Sequence, residues 1–188
     1  LPFEKVFNYK ENGTKISKSS VVKIVEKKNG FFAAASAYDG DVLVSTTGSL
    51  DSPFTKMARE MLDIDSVKAG LVGMSGTLGL KGTMMFEICH PDDPHIVAEE
   101  SGVYLIGFRC HGSGLLLSEE VLDRLAYACN MEAGKTVLMR PHHEYCTFQQ
   151  ALKKVKKCKH EGYMVYKKGS SKVLKLMSPH YLSKKFLM

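Results

Sequence analysis

A lysine at the end of an apolar run is the feature that most constrains this chain. The run Val21-Val22-Lys23-Ile24-Val25 leads directly into Glu26-Lys27-Lys28-Asn29-Gly30. Because β-branched residues dominate the run, it predicts a buried strand that ends near Lys27, facing a cleft. A lysine in a cleft must be paired or lose its proton, and the neutral amine is a nucleophile. Gly30 predicts a sharp turn at which the backbone comes close to a ligand.

The same five residues also have a plainer interpretation. Two lysines followed by Asn-Gly fit a surface turn whose charges are simply solvated. Taken alone, the short pattern favours this plainer interpretation, so other parts of the chain have to decide.

Length and composition predict one domain, residues 1–188, with a substantial core. The chain is 44% hydrophobic and 24% charged, as is typical of a globular protein. No apolar run approaches the roughly 20 residues that cross a bilayer, and no signal segment begins the chain, so we expect no membrane partner. The chain starts at Leu1 without an initiator methionine, so we expect a fragment that lacks flanking N- and C-terminal segments.

Cysteine usage and charge indicate a compartment and a partner. The five cysteines are odd in number and include no CxxC pair, which favours a reducing intracellular compartment, cytoplasm or nucleus. The net charge of +6 and the isoelectric point near 9.0 are compatible with a polyanionic partner, and equally with a merely soluble surface. We expect a monomer.

Hydrophobic periodicity predicts an α+β fold with mostly antiparallel sheets flanked by helices. Asp39-Gly40 predicts a hairpin turn, and Lys168-Gly169-Ser170 predicts another. Capping residues predict three helices, which begin after Ser52, Ser118 and Thr147. The predicted strands are residues 21–25, 30–36, 42–45, 83–88, 102–108, 162–166 and 172–177.

Five patches along the chain share one chemical logic. They are Lys27 with its neighbours, Thr47-Gly48-Ser49, Phe86-Glu87, Glu161-Gly162 and Lys175. A nucleophilic lysine, two carboxylates and a second lysine are what nucleotidyl transfer needs, because the carboxylates hold Mg²⁺ and ribose while the cations offset phosphate charge. Singly, each acid also fits an exposed strand edge, and Lys175 fits a solvated strand position.

In their order, these patches resemble the covalent nucleotidyltransferase superfamily. The resemblance is specifically to ATP-dependent RNA ligases of the T-even phage RNA ligase 1 type and to the ligase domain of fungal tRNA ligase. It covers nearly the whole chain. The matching segments are Lys5-Val6-Phe7-Asn8, Glu26-Lys27-Lys28-Asn29-Gly30 (motif I), Phe86-Glu87 (motif III), Val103-Tyr104-Leu105-Ile106-Gly107-Phe108-Arg109, Glu161-Gly162-Tyr163 (motif IV) and Lys175 with Ser178 and Tyr181 (motif V).

The resemblance implies a nucleotidyltransferase (ATP-grasp-like ligase) fold and an adenylylation domain. It implies that ATP and Mg²⁺ (or Mn²⁺) are needed to join RNA 5′-phosphate and 3′-hydroxyl ends through lysyl-AMP and RNA-adenylate. Lys27 would be the nucleophile, Glu87 would bind ribose, Glu161 would bind the metal, and Lys175 would stabilise the α-phosphate. The other implied nucleotide-binding residues are Lys5, Phe7, Glu26, Asn29, Gly30 and Ile106.

A second register and several departures from the family pattern bear on this interpretation. Ala37-Tyr38-Asp39-Gly40 fits motif I without its lysine, but only the Lys27 register places Thr47-Gly48-Ser49 two strands downstream. Motif V usually continues as K-x-K, whereas here the second position is Met177, for which Lys172 or Lys184 are possible substitutes. An arginine that the family carries before motif I is absent from this chain.

Other clusters and other functions remain open. His142-His143-Glu144 with Cys146 lacks the spacing of a metal site. Basic residues at 153–159 and 184–185 favour a surface that contacts phosphodiesters, against a solvated helix face. The alternatives to an RNA ligase are a capping guanylyltransferase or DNA ligase relative, a non-catalytic family member that binds nucleotide or RNA ends, and a generic basic RNA-binding module.

Overall fold

Two four-stranded antiparallel sheets and five helices build the molecule, a computed structural model that describes residues 5–93, 96–97 and 99–188. The first sheet has the order β6-β1-β7-β8, and the second has the order β3-β2-β4-β5. The α+β, mostly antiparallel prediction is therefore confirmed. The strands are β1 (Val21–Lys27), β2 (Phe31–Tyr38), β3 (Asp41–Thr46), β4 (Gly82–Cys89), β5 (Gly102–Cys110), β6 (His143–Thr147), β7 (Gly162–Lys167) and β8 (Val173–Met177).

The helices are α1 (Pro53–Met61), α2 (Ile64–Leu78), α3 (Glu119–Ala133), α4 (Phe148–Lys157) and α5 (Pro179–Phe186). All three predicted caps are confirmed, and Thr147 forms a capping box with Gln150. The Asp39-Gly40 turn joins β2 to β3 with positive φ angles of 49° and 76° at its two residues. Among the described residues, no helix is both long enough and apolar enough to cross a bilayer.

The prediction of three helices was wrong, because α2 and α5 were missed, and β6 was missed as a strand. Three glycines interrupt the apolar pattern of α2, and one of them, Gly70, is needed where the helix packs against α3. A Cβ there would lie 2.7 Å from the sulfur of Cys129. Tertiary packing thus overrides the low helix propensity of glycine.

Each sheet buries one face against helices. Helices α1, α2 and α3 share a core with the second sheet that includes Met84, Phe86 and Phe108. Helix α4 packs Phe148 and Val155 on the first sheet. Because strand side chains alternate between faces, the opposite faces carry the polar side chains of motifs I, III and V.

Two short connections join the sheets. Residues 28–30 lead from the end of β1 in the first sheet to β2 in the second. Residues 139–143 make the return, because Met139 pairs with Tyr104 beside β5 and His143 then begins β6. The relative position of the two polar faces therefore depends on these two connections.

Gly30 is held against β4 in the first of these connections. A Cβ at this position would lie 2.2 Å from the carbonyl oxygen of Ile88. The sequence interpretation assigned this glycine to the approach of a ligand, whereas in the structure the strand backbone itself excludes a side chain. Its φ angle is not positive, so the space, and not a left-handed turn, requires glycine.

We expect Gly30→Ala to lower the free energy of unfolding by about 1–3 kcal/mol, since the added methyl must push β4 away. Gly73→Ala is the matched control, because Gly73 lies inside α2 with nothing within 4 Å of its Cβ position. The control should raise stability by about 0.5–1 kcal/mol. Urea unfolding measures both, and equal effects of the two substitutions would contradict this account of Gly30.

Candidate active site

Lys27, Glu161 and Asn29 form the centre of the site. Lys27 ends β1 opposite Gly162, so Glu161 lies immediately before the neighbouring strand. Its carboxylate is buried and accepts from two groups: Lys27 Nζ lies 2.8 Å from Oε1, and Asn29 Nδ2 donates to Oε2 over 2.9 Å. Both carboxylate oxygens are thereby engaged, which is how a buried charge is accommodated.

The protonation state of Lys27 differs from the sequence-based prediction. Burial lowers the pKa of Lys27, but the Glu161 carboxylate and its hydrogen bond raise it, with a smaller rise from Glu87. The resulting pKa lies above the usual value of a lysine. The prediction of a neutral amine is therefore wrong for this state of the protein, because the nearby carboxylate outweighs the desolvation.

Glu87 contributes a second carboxyl group from β4 in the other sheet. The Gly30 N–H donates to its Oε1 over 3.1 Å, which ties this side chain to the connection after Lys27. Burial raises the pKa of Glu87 to about 7, although Lys27 and the Gly30 hydrogen bond lower it. A group with this pKa is available both as a carboxylate and as a neutral acid near pH 7.

Asn29 holds the connection between the sheets in place. Besides its bond to Glu161, its Oδ1 accepts from the N–H groups of Ile96 at 2.9 Å and Val97 at 3.3 Å. Its own N–H donates to Glu99 over 3.0 Å. With its amide used on both sides, Asn29 fixes where Lys27 and Glu161 meet.

Glu26 and Lys28 reinforce the same connection. Lys28 Nζ lies 2.8 Å from Glu26 and 3.6 Å from Glu99, and it sits 4.9 Å from the centre of the Tyr104 ring. Glu99, with a nearly buried side chain, was missed by sequence reasoning because it belongs to no patterned strand or motif. In the structure Glu26 pairs with Lys28, while its role as a nucleotide-binding residue remains a prediction.

Lys175, Lys5 and Phe7 lie together along the edge of the first sheet. The Lys175 N–H donates to the Phe7 carbonyl, and the Tyr9 N–H donates to the Lys175 carbonyl, both over 2.9 Å. Lys5 Nζ lies 5.1 Å from the centre of the Phe7 ring. The segment before β1 thus runs beside β8, which brings together three of the residues that the resemblance assigned to the nucleotide.

Met177 occupies the row of Lys27. Residues opposite one another across the first sheet are Lys27, Gly162 and Met177, and Lys175 lies two residues earlier on the same face. A lysine at the second motif V position would therefore lie near Lys27. Lys172 does not substitute for it, because its Nζ donates to the carbonyl of Lys15.

Helix α5 begins directly beside this centre. Ser178 is fully buried, donates to the His160 carbonyl over 2.6 Å and caps the helix by accepting from the Tyr181 N–H. Its own N–H donates to the Glu161 carbonyl over 2.8 Å. Burial raises the pKa of Tyr181, with a further rise from Glu161. The serine and tyrosine of motif V therefore position α5 against the strand that carries Glu161.

Ile106 lies at an irregularity of β5. Met85 pairs with Gly107 and Phe86 with Leu105, so Ile106 is the extra residue of a β-bulge. A bulge changes the direction of a side chain relative to a regular strand. Ile106 is partly exposed on the polar side of the second sheet, and its contact with a base remains a prediction.

Arg140 was missed by sequence reasoning. It donates from Nη1 to the Leu105 carbonyl at the bulge, pairs with Asp123 at 2.8 Å and lies 3.4 Å from Glu119. His143 Nε2 lies 2.8 Å from the other oxygen of Asp123, and so β6 is joined to α3. The second connection between the sheets is therefore held by ion pairs, as the first is.

The histidine-rich segment and the basic helix lie outside the cleft. In the part of the chain that the structure describes, no group of three or more His, Cys, Asp or Glu side chains is arranged to hold a metal, which agrees with the sequence interpretation of residues 142–146. The lysines of α4 lie across the first sheet from Lys27, because the helix packs on the opposite face. One of them, Lys154, pairs with Glu144 at 2.8 Å.

The carboxylates of the cleft suit a hard divalent cation. Mg²⁺ prefers oxygen ligands and is held by one or two carboxylates together with substrate phosphates and water. Glu161 supplies such oxygens at a buried position, and Glu87 interacts electrostatically with it. The residues present therefore fit a metal shared with a phosphate ligand, and they do not form an all-protein cage.

Comparisons with known proteins agree with this geometry. The profile of a family described as RNA ligase matches residues 1–186. No curated protein sequence matches the chain. A mutant RNA ligase from Naegleria gruberi in its apo form shares the fold, with a TM-score of 0.68 at 16% identity over 91% of this chain and 53% of that chain.

Two further structures of the Naegleria gruberi RNA ligase are similar. The one with PPi gives a TM-score of 0.63 at 14% identity, over 91% of this chain and 53% of that chain. A mutant with ATP and Mn gives 0.60 at 14% identity, over 89% and 52%. This chain thus spans about half the length of these structures. By its match to the family profile, the chain belongs to the RNA ligase family.

The raised pKa of Glu87 predicts a specific dependence of stability on pH. The folded state binds the Glu87 proton more tightly than the unfolded state, so the contribution of Glu87 to stability falls as pH rises from about 4.5 to about 7. Glu87→Gln should therefore gain stability relative to the parent protein between pH 5 and pH 7.5. Urea unfolding at the two pH values measures the gain. Glu132→Gln, at an exposed carboxylate, is the control, and a gain no larger than that of the control would contradict the assignment.

Proposed function

We propose that this chain is the adenylylation domain of an ATP-dependent RNA ligase that joins RNA 5′-phosphate and 3′-hydroxyl ends. The observation that carries the proposal is the position of Lys27, which ends a strand in a cleft and contacts Glu161 at 2.8 Å with Glu87 nearby. A lysine in a solvated turn has no reason to meet buried carboxylates from two sheets. Membership of the RNA ligase family supports the same reaction.

The proposed chemistry begins at Lys27. Its neutral amine attacks the α-phosphorus of ATP, a nitrogen–phosphorus bond forms, the bond to the β-phosphate breaks, and pyrophosphate leaves. The AMP then passes to an RNA 5′-phosphate, and an RNA 3′-hydroxyl displaces AMP to form the phosphodiester. Lys27 is free again at the end, as nucleophilic catalysis requires.

Lys27 must first lose the proton that Glu161 helps to retain. Glu161 is the residue that would hold a divalent cation, Mg²⁺ or Mn²⁺. When bound, the cation would supply positive charge that offsets the phosphates and competes with the Lys27 ammonium for this carboxylate, which lowers the pKa of Lys27. Asn29 keeps the carboxylate in place during this exchange of partners.

The remaining residues would bind and orient the nucleotide. Glu87, with a pKa of about 7, suits hydrogen bonds to ribose hydroxyls in either protonation state. Lys175 would stabilise charge on the α-phosphate, and Ile106 would contact the adenine. Lys5 and Phe7 would seat the nucleotide from the edge of β8, where the backbone already binds their segment. We further propose an intracellular, monomeric enzyme, to which all five free cysteines are suited.

A non-catalytic family member is the second candidate. It is favoured by Met177, which lies in the Lys27 row where the family usually has a cationic residue. A thioether neither stabilises phosphate charge nor lowers the pKa of a neighbouring lysine. Such a protein would bind ATP or RNA ends without forming lysyl-AMP.

We expect the purified protein, incubated with ATP and Mg²⁺, to gain the mass of one adenylate in an acid-labile bond. Lys27→Ala should abolish the adduct, because only this amine lies against Glu161. Lys28→Arg is the matched control, since it retains the charge that pairs with Glu26 and Glu99 and should retain the adduct. Intact-protein mass spectrometry measures all three proteins, and an adduct that survives Lys27→Ala would refute the assignment.

We expect Met177→Lys to speed adduct formation by about ten-fold at neutral pH. The added ammonium would lie in the Lys27 row, where it lowers the pKa of Lys27 and offers a charge-assisted hydrogen bond to the phosphate. Val173→Lys, on the same face of β8 but beyond Lys175, should have little effect. Single-turnover formation of the adduct measures both rates. Adduct formation that occurs only in Met177→Lys would instead support the non-catalytic candidate.

A further inference from the structure

A groove of about 620 Å³ lies on the polar face of the second sheet, away from its helices. Its floor is formed by Phe32, Ala34 and Ser36 of β2, and one wall by residues 45–50. Thr83, Arg109 and His111 form the other wall. None of the residues assigned above to ATP lines this groove.

The groove exists because the floor side chains are small. Ala34 lies opposite Ser45 on one neighbouring strand and Met85 on the other, and Ser36 lies opposite Thr83. Strand residues of one face normally fill the space above the sheet with their side chains. Here alanine and serine leave that space empty next to hydroxyl groups.

The groove is continuous with the catalytic cleft. Phe32, at one end of the floor, is the cross-strand partner of Glu87. From Phe32 to Ser36 the strand rises about 13 Å, at roughly 3.3 Å per residue. One strand of a nucleic acid duplex rises about 3.4 Å per nucleotide along its axis, so the groove is long enough for a few nucleotides.

The chemistry of the walls suits an anionic, hydroxyl-rich ligand. Arg109 Nη1 donates to the Gly114 carbonyl over 2.7 Å, which orients its guanidinium, and His111 Nε2 lies 2.9 Å from Thr83 Oγ1. Residues 45–50 add three further hydroxyl side chains besides that of Ser45. Among the described residues that line the groove, none is acidic. The carboxylates are confined to the end at Glu87.

We propose that this groove binds the RNA segment next to the end that is joined, through its phosphodiester groups and ribose hydroxyls. The proposal rests on the proposed ligase function and extends it, because it names the path of the RNA. Arg109 would pair with a phosphate, and the serine and threonine hydroxyls would contact phosphate oxygens and 2′-hydroxyls. The strand would thus reach the cleft at Glu87, opposite the edge where Lys175 and Phe7 lie.

The test compares Arg109→Ala with Arg124→Ala. Arg124 is exposed on α3, across the second sheet from the groove, and its loss changes the net charge equally. The probe is a 5′-phosphorylated single-stranded oligoribonucleotide, and fluorescence anisotropy gives its Kd at several salt concentrations. Arg109→Ala should weaken binding roughly ten-fold and flatten the salt slope by about 0.7, whereas Arg124→Ala should change neither.

A second pair of variants guards against a local collapse around Gly114 in Arg109→Ala. Ser36→Leu fills the groove floor without touching Arg109 and should also weaken RNA binding roughly ten-fold. Ser36→Ala keeps the space open and should have the smaller effect. Circular dichroism and thermal unfolding show whether each variant is folded.

Adduct formation with ATP separates this proposal from the proposed function. Groove variants should form the Lys27 adduct with an unchanged KM for ATP, since no residue assigned to ATP lines the groove. If they bind the oligoribonucleotide as the parent does, or if they raise the KM for ATP instead, the groove is not the RNA path. If the parent itself forms no adduct, the ligase function fails, while RNA binding still reports on the groove.

Discussion

The carboxylate of Glu161 is the group on which the site depends. It is buried, it accepts from Lys27 and Asn29 at once, and it lies where the first sheet meets the connection to the second. Removing either partner would leave a buried charge short of a hydrogen bond, which is more costly than never having formed it. Lys27 is therefore poised by an ion pair, and its reactivity has to come from loosening that pair.

The two connections between the sheets explain how a cleft with walls from separate sheets keeps its geometry. Asn29 and Glu99 fix the first connection, and Arg140 with Asp123 fixes the second. Neither connection relies on hydrophobic packing, since each sheet has its own core against its own helices. Buried ion pairs contribute little net stability, but they favour one arrangement over others. Here that arrangement sets the separation between Lys27 and Glu87.

Local sequence signals predicted the strands, the hairpin at Asp39-Gly40 and the capped helices, because each depends on neighbouring residues. The strand that ends at Lys27 was also predicted correctly. The charge of Lys27 was not, because it depends on Glu161, which lies far away along the chain. Arg140 was missed for the same reason: its partners come from α3 and from a bulge that no local pattern indicates.

Charge balance across the cleft indicates from which side a polyphosphate would be bound. Glu26, Glu87, Glu99 and Glu161 face only Lys27 and Lys28, so with Glu87 ionised the centre is anionic and repels phosphate. The cationic groups that complement phosphate lie instead at the edge of β8, where Lys175 is joined to the segment of Lys5 and Phe7. Because Glu87 has a pKa of about 7, protonation of this one group weakens the repulsion near neutral pH. The carboxylates thus place the phosphates towards β8 and leave the Glu87 side for ribose and the proposed RNA path.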